Sequence, residues 1–250
     1  MLTAIIVAAG DSRRMGFDKL FAAIAGKPVI AHTLRAFERA NSVDGIVVVA
    51  REDRHDEIKK MARDDNFKKV RSIVAGGKRR QDSVRAGLNR VDREVRYVAV
   101  HDAARPLVTP TQIERLFQQC QIHGAAGLAE PVNDTLKRAD LAAVATSAKA
   151  AADPFDLHSG QVLLVTESVD RRELIAMQTP QMFERALIDE AYRAVYEEDI
   201  LVTDEVSAVE RLGRKIALVL NDDFNFKITY PRDLPLAEFV LSRRMKPVAN

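Results

Sequence analysis

Cationic side chains stand beside small residues at several points of the sequence where a chain could hold phosphate. Ala8-Ala9-Gly10-Asp11-Ser12-Arg13-Arg14-Met15-Gly16-Phe17-Asp18-Lys19 follows a short apolar run. Small residues let backbone N–H groups approach an anion closely, and Arg13, Arg14 and Lys19 bring positive charge to the same loop. The spacing is neither a dinucleotide fingerprint nor a Walker loop; the stretch reads as a phosphate-binding loop after a first strand. Gly76-Gly77-Lys78-Arg79-Arg80-Gln81-Asp82-Ser83 repeats the theme ahead of a helix. There Ser83 is either a ligand-facing hydroxyl or part of the helix cap.

His101-Asp102-Ala103-Ala104-Arg105-Pro106 follows another apolar run. An aspartate just past a buried strand suits a divalent cation or a ribose, and Mg²⁺ characteristically takes one or two carboxylates together with substrate phosphates. His101 has no paired nucleophile, which favours a structural role. Asn133 to Arg138, Val169-Asp170-Arg171 and Asn225-Phe226-Lys227-Ile228-Thr229 each set a cation beside hydroxyl or amide groups, as phosphate recognition requires. Together with Arg14, Lys19 and Arg105 they imply a basic cleft.

Alternating strands and helices must position these loops. Leu2 to Val7 and Gly45 to Ala50 are short, nearly continuous apolar runs, as in strands buried on both faces, and Val70 to Ala75 and Tyr97 to Val100 read as a third and a fourth strand. Helical spacing follows Pro28 (Ile30, Leu34, Phe37) and recurs at Ile58, Met61 and Ala62, and over Asp82 to Arg90. Thr109-Pro110 caps a helix carrying Ile113, Leu116 and Phe117. Further strands are expected at Ala125–Ala129, Val162–Val165 and Ile216–Leu220. Helices are expected at Glu184–Val195, from a Thr203 cap to Gly213, and at Leu234–Leu241. This order predicts an α/β fold with a mainly parallel sheet covered on both faces, whose ligands gather beyond the carboxyl ends of the strands. Ala139 to Ser159, rich in Ala, Ser and Asp, reads as an insertion or protruding element rather than a domain boundary.

Composition excludes other classes. Of 250 residues 47% are hydrophobic, too many for a disordered chain, and no apolar run approaches the roughly 20 residues of a membrane span. A net charge of +2, with 6% aromatic residues and no Trp, argues against a nucleic-acid binder. Cys120 is the sole cysteine, so neither an intramolecular disulfide nor a thiolate cluster forms; it reads as a buried structural thiol. The N-terminal apolar run is short and lacks a preceding basic segment, so no signal peptide is expected and a cytoplasmic location is the default.

The pieces resemble, in order and over nearly the whole chain, the 2-C-methyl-D-erythritol 4-phosphate cytidylyltransferase family of the non-mevalonate isoprenoid pathway. The matching pieces are Ala8-Ala9-Gly10 with Arg14-Met15 and Lys19; Gly76-Gly77 with Asp82-Ser83-Val84; His101 to Pro106; and Asp134-Thr135-Leu136-Lys137-Arg138. Val169-Asp170-Arg171, Thr179-Pro180-Gln181, Thr203-Asp204-Glu205 and Asn225 to Thr229 follow. The first loop is shared with many sugar-nucleotide transferases; the His-Asp-Ala-Ala-Arg-Pro and Asp-Thr-x-Lys-Arg pieces are far more specific.

The resemblance implies a three-layer, Rossmann-like fold of the nucleotide-diphospho-sugar transferase type. One domain would span residues 1–250, with a protruding β-arm at about 133–172. It implies CTP and Mg²⁺: a phosphate oxygen of methylerythritol phosphate attacks the α-phosphorus of CTP, and pyrophosphate leaves. Carried over by position, Ala8, Ala9, Gly10, Gly77 and Ser83 would hold cytosine and ribose. Arg14, Lys19 and Lys227 would neutralise the triphosphate and the transition state. Asp102 would touch the ribose or the metal, with Arg105 nearby. Thr135, Arg171 and Thr179 would hold the acceptor, the first two on an arm that crosses to the partner of a homodimer. The chain departs from the family at Ser12 (commonly glycine), Asp18 (usually proline, in a shorter loop) and Lys78 (usually acidic), and its stretch from Ala139 to Ser168 is longer. Two alternatives stay open: a cytidylyltransferase for another polyol phosphate such as ribitol 5-phosphate, and a catalytically silent nucleotide-binding domain.

Overall fold

The computed structural model describes residues 1–10, 15–140 and 162–245. Strands β1 (Leu2–Ala8), β2 (Ala23–Ile24) and β3 (Lys27–Pro28) lead into helix α1 (Val29–Arg39). There follow β4 (Val43–Ala50), α2 (His55–Asp64), β5 (Val70–Ala75), α3 (Arg80–Leu88), β6 (Tyr97–Asp102), α4 (Pro110–His123) and β7 (Ala125–Pro131). After β8 (Leu136–Asp140) and β9 (Leu164–Val169) come β10 (Ile175–Glu184), α5 (Arg185–Glu197), α6 (Glu205–Glu210), β11 (Ala217–Leu220) and α7 (Asp233–Met245).

The chain divides into two compact units. The first, Met1–Ala129 with Met177–Asn250, is built on a seven-stranded sheet of order β11-β7-β10-β6-β1-β4-β5. β1 pairs in parallel with β4 and β6, β4 with β5, and β7 with β11; β10 runs antiparallel to β6. Alternation along each strand divides the core into two layers. Leu2, Ala4 and Ile6 of β1 pack on one face with Ile30, Leu34 and Phe37 of α1, Ile113 and Leu116 of α4, and Ala237 of α7. Ile5 packs on the other with Val84 and Leu88 of α3, Ile188 and Ala191 of α5, and Val206 and Val209 of α6. Helices on both faces of a mainly parallel sheet make the expected three-layer α/β fold.

The boundaries differ in places. β6 extends two residues beyond the apolar run, so His101 and Asp102 end the strand rather than follow it. The α6 cap is Asp204, whose side chain accepts the Ser207 N–H, rather than Thr203, and the helix stops at Glu210. The strand expected at Val162–Val165 lies at Leu164–Val169 and outside the main sheet. β10 was not expected at all: its centre is Gln178-Thr179-Pro180-Gln181, and proline and amides do not spell an interior strand.

The second unit, Glu130–Ala176, contains the antiparallel ladder of β8 and β9, with Leu136 opposite Val169 and Asp140 opposite Leu164. Most of the Ala139–Ser159 stretch lies outside the described residues, as does Arg14.

Candidate active site

The parallel register places the chemistry. Val7 of β1 lies opposite Asp102 of β6, so Ala8, Ala9 and Gly10 leave the sheet beside the aspartate. Ala8 is buried, Ala9 half-buried and Gly10 exposed, which leaves backbone open at the loop's start. The loop after β5 is fitted against it: a Cβ on Gly76 would collide with the Ala9 Cβ and one on Gly77 with the Asp82 Cβ. Glycine is needed at both positions because two loops and a helix start share this space. Gly77 donates its N–H to the buried Ser83 hydroxyl at 3.1 Å, while Asp82 accepts the Arg79 N–H at 3.0 Å and closes the helix cap. Ser83 thus tethers the glycine loop to α3, and the capping falls to Asp82.

Asp102 is the electrostatic centre. Its Oδ2 accepts from Lys227 Nζ at 2.8 Å and its Oδ1 from Arg80 Nε at 3.1 Å. Burial alone would raise its carboxyl, but Lys227, Arg80 and Arg105 outweigh that and hold it well below the usual carboxylate range. Lys227 sits in the segment after β11, where the Ile228 N–H donates to the Ala104 carbonyl at 2.8 Å. Lys19 donates to the Ile228 carbonyl at 2.8 Å. The two lysines, 208 residues apart in sequence, are therefore brought together beside the end of β6, Lys227 on Asp102 and Lys19 on the carbonyl of the residue that follows Lys227. Arg105 donates to the Asn225 carbonyl at 2.7 Å, which joins the same segment to the loop after β6.

His101 lies behind this edge, fully buried and packed on Phe37. Burial drives its imidazole down to about 3, so the ring is neutral. The Arg105 carbonyl, 3.2 Å from Nε2, can only accept; Nε2 therefore carries the proton and Nδ1 accepts from the Thr179 hydroxyl at 3.1 Å. The Thr179 oxygen in turn accepts the Asp102 N–H at 3.0 Å. Thr179, 5% exposed, is thereby committed to fixing the end of β6.

The second unit carries Thr135 and Arg171, both exposed. Thr135 precedes β8 and Arg171 follows β9, and Leu136 pairs with Val169, so the two residues sit at the same end of the hairpin.

Sequence reasoning gave no role to Arg80, Glu205 or the clamp on Asp18. Asp18 Oδ2 accepts from Arg51 at 2.8 Å and Arg54 at 3.0 Å, and its Oδ1 accepts the Leu20 N–H at 3.3 Å. A carboxylate in place of proline is thus held by cations that follow β4. The position of Arg51 just past a strand was the available signal.

A mainly parallel α/β sheet that collects an Ala-Ala-Gly turn, a Gly-Gly turn and converging lysines at its strand ends belongs to the class of nucleotide-binding α/β proteins. The family model for 2-C-methyl-D-erythritol 4-phosphate cytidylyltransferase (IspD) matches residues 2–152 and 145–243. The enzyme of that name from Halalkalibacterium halodurans is 38% identical over 244 residues, covering 97% of each chain. The one from Dehalococcoides mccartyi is 38% identical over 241 residues, covering 96% of each. Among solved structures, the 4-diphosphocytidyl-2C-methyl-D-erythritol synthase of Anaerococcus prevotii superposes with a TM-score of 0.77 at 27% identity, covering 97% of this chain and 96% of that one. The cytidylyltransferase of Thermus thermophilus gives 0.72 at 27% identity, covering 96% and 98%. The chain belongs to the 2-C-methyl-D-erythritol 4-phosphate cytidylyltransferase family, enzymes that use CTP in the non-mevalonate isoprenoid pathway.

Proposed function

We propose that the chain performs its cytidylyl transfer by alignment and charge neutralisation at the ends of β1, β5 and β6. The observation that carries this reading is the convergence of Lys19 and Lys227 on the Asp102 edge. In the reaction a phosphate oxygen of methylerythritol phosphate forms a bond to the α-phosphorus of CTP, the α–β phosphoanhydride bond breaks, and pyrophosphate departs with the electron pair. The attacking oxygen is already anionic, so no base has to remove a proton. What remains for the protein is to bring two polyanions together and stabilise the charge that develops.

Backbone of Ala8, Ala9 and Gly10, with Gly77 and the Ser83-tethered turn, holds the nucleoside. Arg14, Lys19 and Lys227 meet the triphosphate and the transition state. Asp102 keeps Lys227 in place until phosphate competes for the ammonium, and Arg105 ties the loop after β6 to the Lys227 segment. Thr135 and Arg171 of the hairpin bind the acceptor phosphate. Thr179, an acceptor contact by resemblance, serves here by setting the backbone of Asp102.

Mg²⁺ fits this donor set in one manner. Both Asp102 oxygens are engaged by cations, and no group of three His, Cys, Asp or Glu able to hold a metal occurs among the described residues. Asp102 can supply one carboxylate contact through a remaining lone pair, and the triphosphate and water supply the rest. Held by Asp102 and the triphosphate, the ion would supply charge neutralisation for the leaving pyrophosphate. Omitting Mg²⁺ is expected to abolish turnover, and wild-type rates in the presence of EDTA would refute its place in the reaction.

The hairpin unit further supports a homodimer in which the arm reaches the partner subunit. Sedimentation of the full chain tests the dimer, with a species of about twice the 27.8 kDa chain mass expected. A monomer with full activity would overturn it. The cation roles are tested by steady-state kinetics of Lys19 and Lys227 variants.

A further inference from the structure

Arg80, the first residue of α3, has no part in the mechanism above, yet it is bonded to two carboxylates at once. Nη1 and Nη2 donate to Glu205 Oε1 and Oε2 at 2.7 and 3.0 Å, and Nε donates to Asp102 Oδ1 at 3.1 Å. Glu205 is completely buried. It opens α6, where Gln181 Oε1 accepts the N–H groups of both Glu205 and Val206 at 3.1 and 3.0 Å, and Tyr192 donates its hydroxyl to Glu205 Oε1 at 2.9 Å.

A buried carboxylate needs a counter-charge, and the paired two-point contact fixes the plane of the guanidinium. Satisfying Glu205 would require only the Nη edge of Arg80. The Nε edge is directed instead at Asp102, whose other oxygen holds Lys227 at 2.8 Å. The consequence is an ordered chain, Tyr192–Glu205–Arg80–Asp102–Lys227, in which each link is a charge-assisted hydrogen bond. Burial would lower the Arg80 guanidinium, but Glu205 and Asp102 hold it above its ordinary value, so the link stays charged throughout the working pH range.

We propose that Arg80 is a positioning residue for Lys227 acting through Asp102, with Glu205 and Tyr192 as its fixed support. By pinning Oδ1, Arg80 sets the plane of the Asp102 carboxylate and hence the point from which Lys227 is presented. By taking a share of the Asp102 charge, it leaves the ammonium less tightly held and able to move to phosphate. The inference rests on the assignment of Lys227 to the reacting phosphates.

The test is a double-mutant cycle of Arg80→Gln and Lys227→Ala, with kcat, the KM for CTP, the KM for the acceptor and the melting temperature measured for each. Arg80→Gln is expected to lower kcat by about tenfold while the KM for CTP stays within roughly threefold, with partial recovery in Arg80→Lys. In the Lys227→Ala background the same substitution is expected to change kcat by less than about threefold, because the link it serves is gone. A kcat for Arg80→Gln within threefold of wild type, or losses that multiply in the double variant, would overturn the proposal and leave the Lys227 assignment standing. Normal turnover in Lys227→Ala alone would overturn the assignment and the proposal with it. If Arg80→Gln leaves Glu205 uncompensated and fails to fold, Arg80→Gln/Glu205→Gln replaces the buried pair by neutral amides. The same cycle, with the same deciding outcomes, is then run from that variant.

Discussion

Lys227 is bound to Asp102 at 2.8 Å, and Lys19 is moored to the Ile228 carbonyl at the same distance. In the proposed reaction each ammonium would thus be held in place before phosphate arrives, which would reduce the reorganisation needed in the transition state. Lys19→Ala and Lys227→Ala are each expected to lower kcat by about 10²–10³, the cost of one lost electrostatic donor; near-normal kcat in both would dismiss these roles. His101 carries a different signature. Its imidazole is driven by burial to about 3 from 6.5, so the folded protein keeps it neutral while the unfolded chain protonates it below about 6.5. Its contribution to stability is complete above 6.5 and is lost as pH falls toward 3. His101→Asn should therefore show a shallower loss of melting temperature between pH 6.5 and 4 than the wild type, and parallel curves would contradict the assignment. Cys120 is buried, and desolvation pushes its thiol up to about 12. It should resist a thiol reagent at pH 8 in the native protein and react once in denaturant.

The loops depend on where their elements stop. Gly76 and Ala9 come from different strands and touch where both chains leave the sheet. Gly76→Ala is thus expected to overpack the junction by about 1–3 kcal/mol and to raise the KM for CTP, which thermal melts and kinetics would show. Asp18 stands immediately before Lys19 and is clamped by Arg51 and Arg54. Asp18→Ala releases that anchor, and a rise in the KM for CTP of roughly tenfold is expected for the lost charged hydrogen bonds; an unchanged KM would show that the clamp serves only stability. Parallel strands and capped helices were legible because runs of strand-forming residues and turn residues announce them. β1, β4, β5 and α4, with its Thr109 cap, lie where periodicity puts them. β10 was illegible because, beside Met182 and Phe183, its buried positions include Gln178, Thr179 and Gln181, whose partners Asn225, His101 and Asp204 lie outside the strand. The Arg80–Glu205 pair escaped for the same reason: its partners lie 125 residues apart, and neither position has a spacing that marks it.

At the scale of the molecule, a net charge of +2 averages over a segregated distribution. Arg80, Arg105 and Lys227 gather about Asp102 at one edge of the sheet, with Lys19 bonded to the Ile228 carbonyl and Glu205 also paired with Arg80, while carboxylates such as Asp56 and Asp64 pair with lysines along α2. The site's character was legible in the residues that follow each strand. The residues proposed for the acceptor were less so, because Thr135 and Arg171 belong to the hairpin unit and acquire a common position only through the pairing of β8 with β9. No helix among the described residues is long and apolar enough to cross a membrane.

The proposed role of these residues is to join CTP to methylerythritol phosphate. Pyrophosphate release, measured with CTP and Mg²⁺ against a panel of polyol phosphates, tests it most directly. Release is expected with 2-C-methyl-D-erythritol 4-phosphate and not with ribitol 5-phosphate. Release with ribitol 5-phosphate alone, or with no acceptor at all, would contradict it.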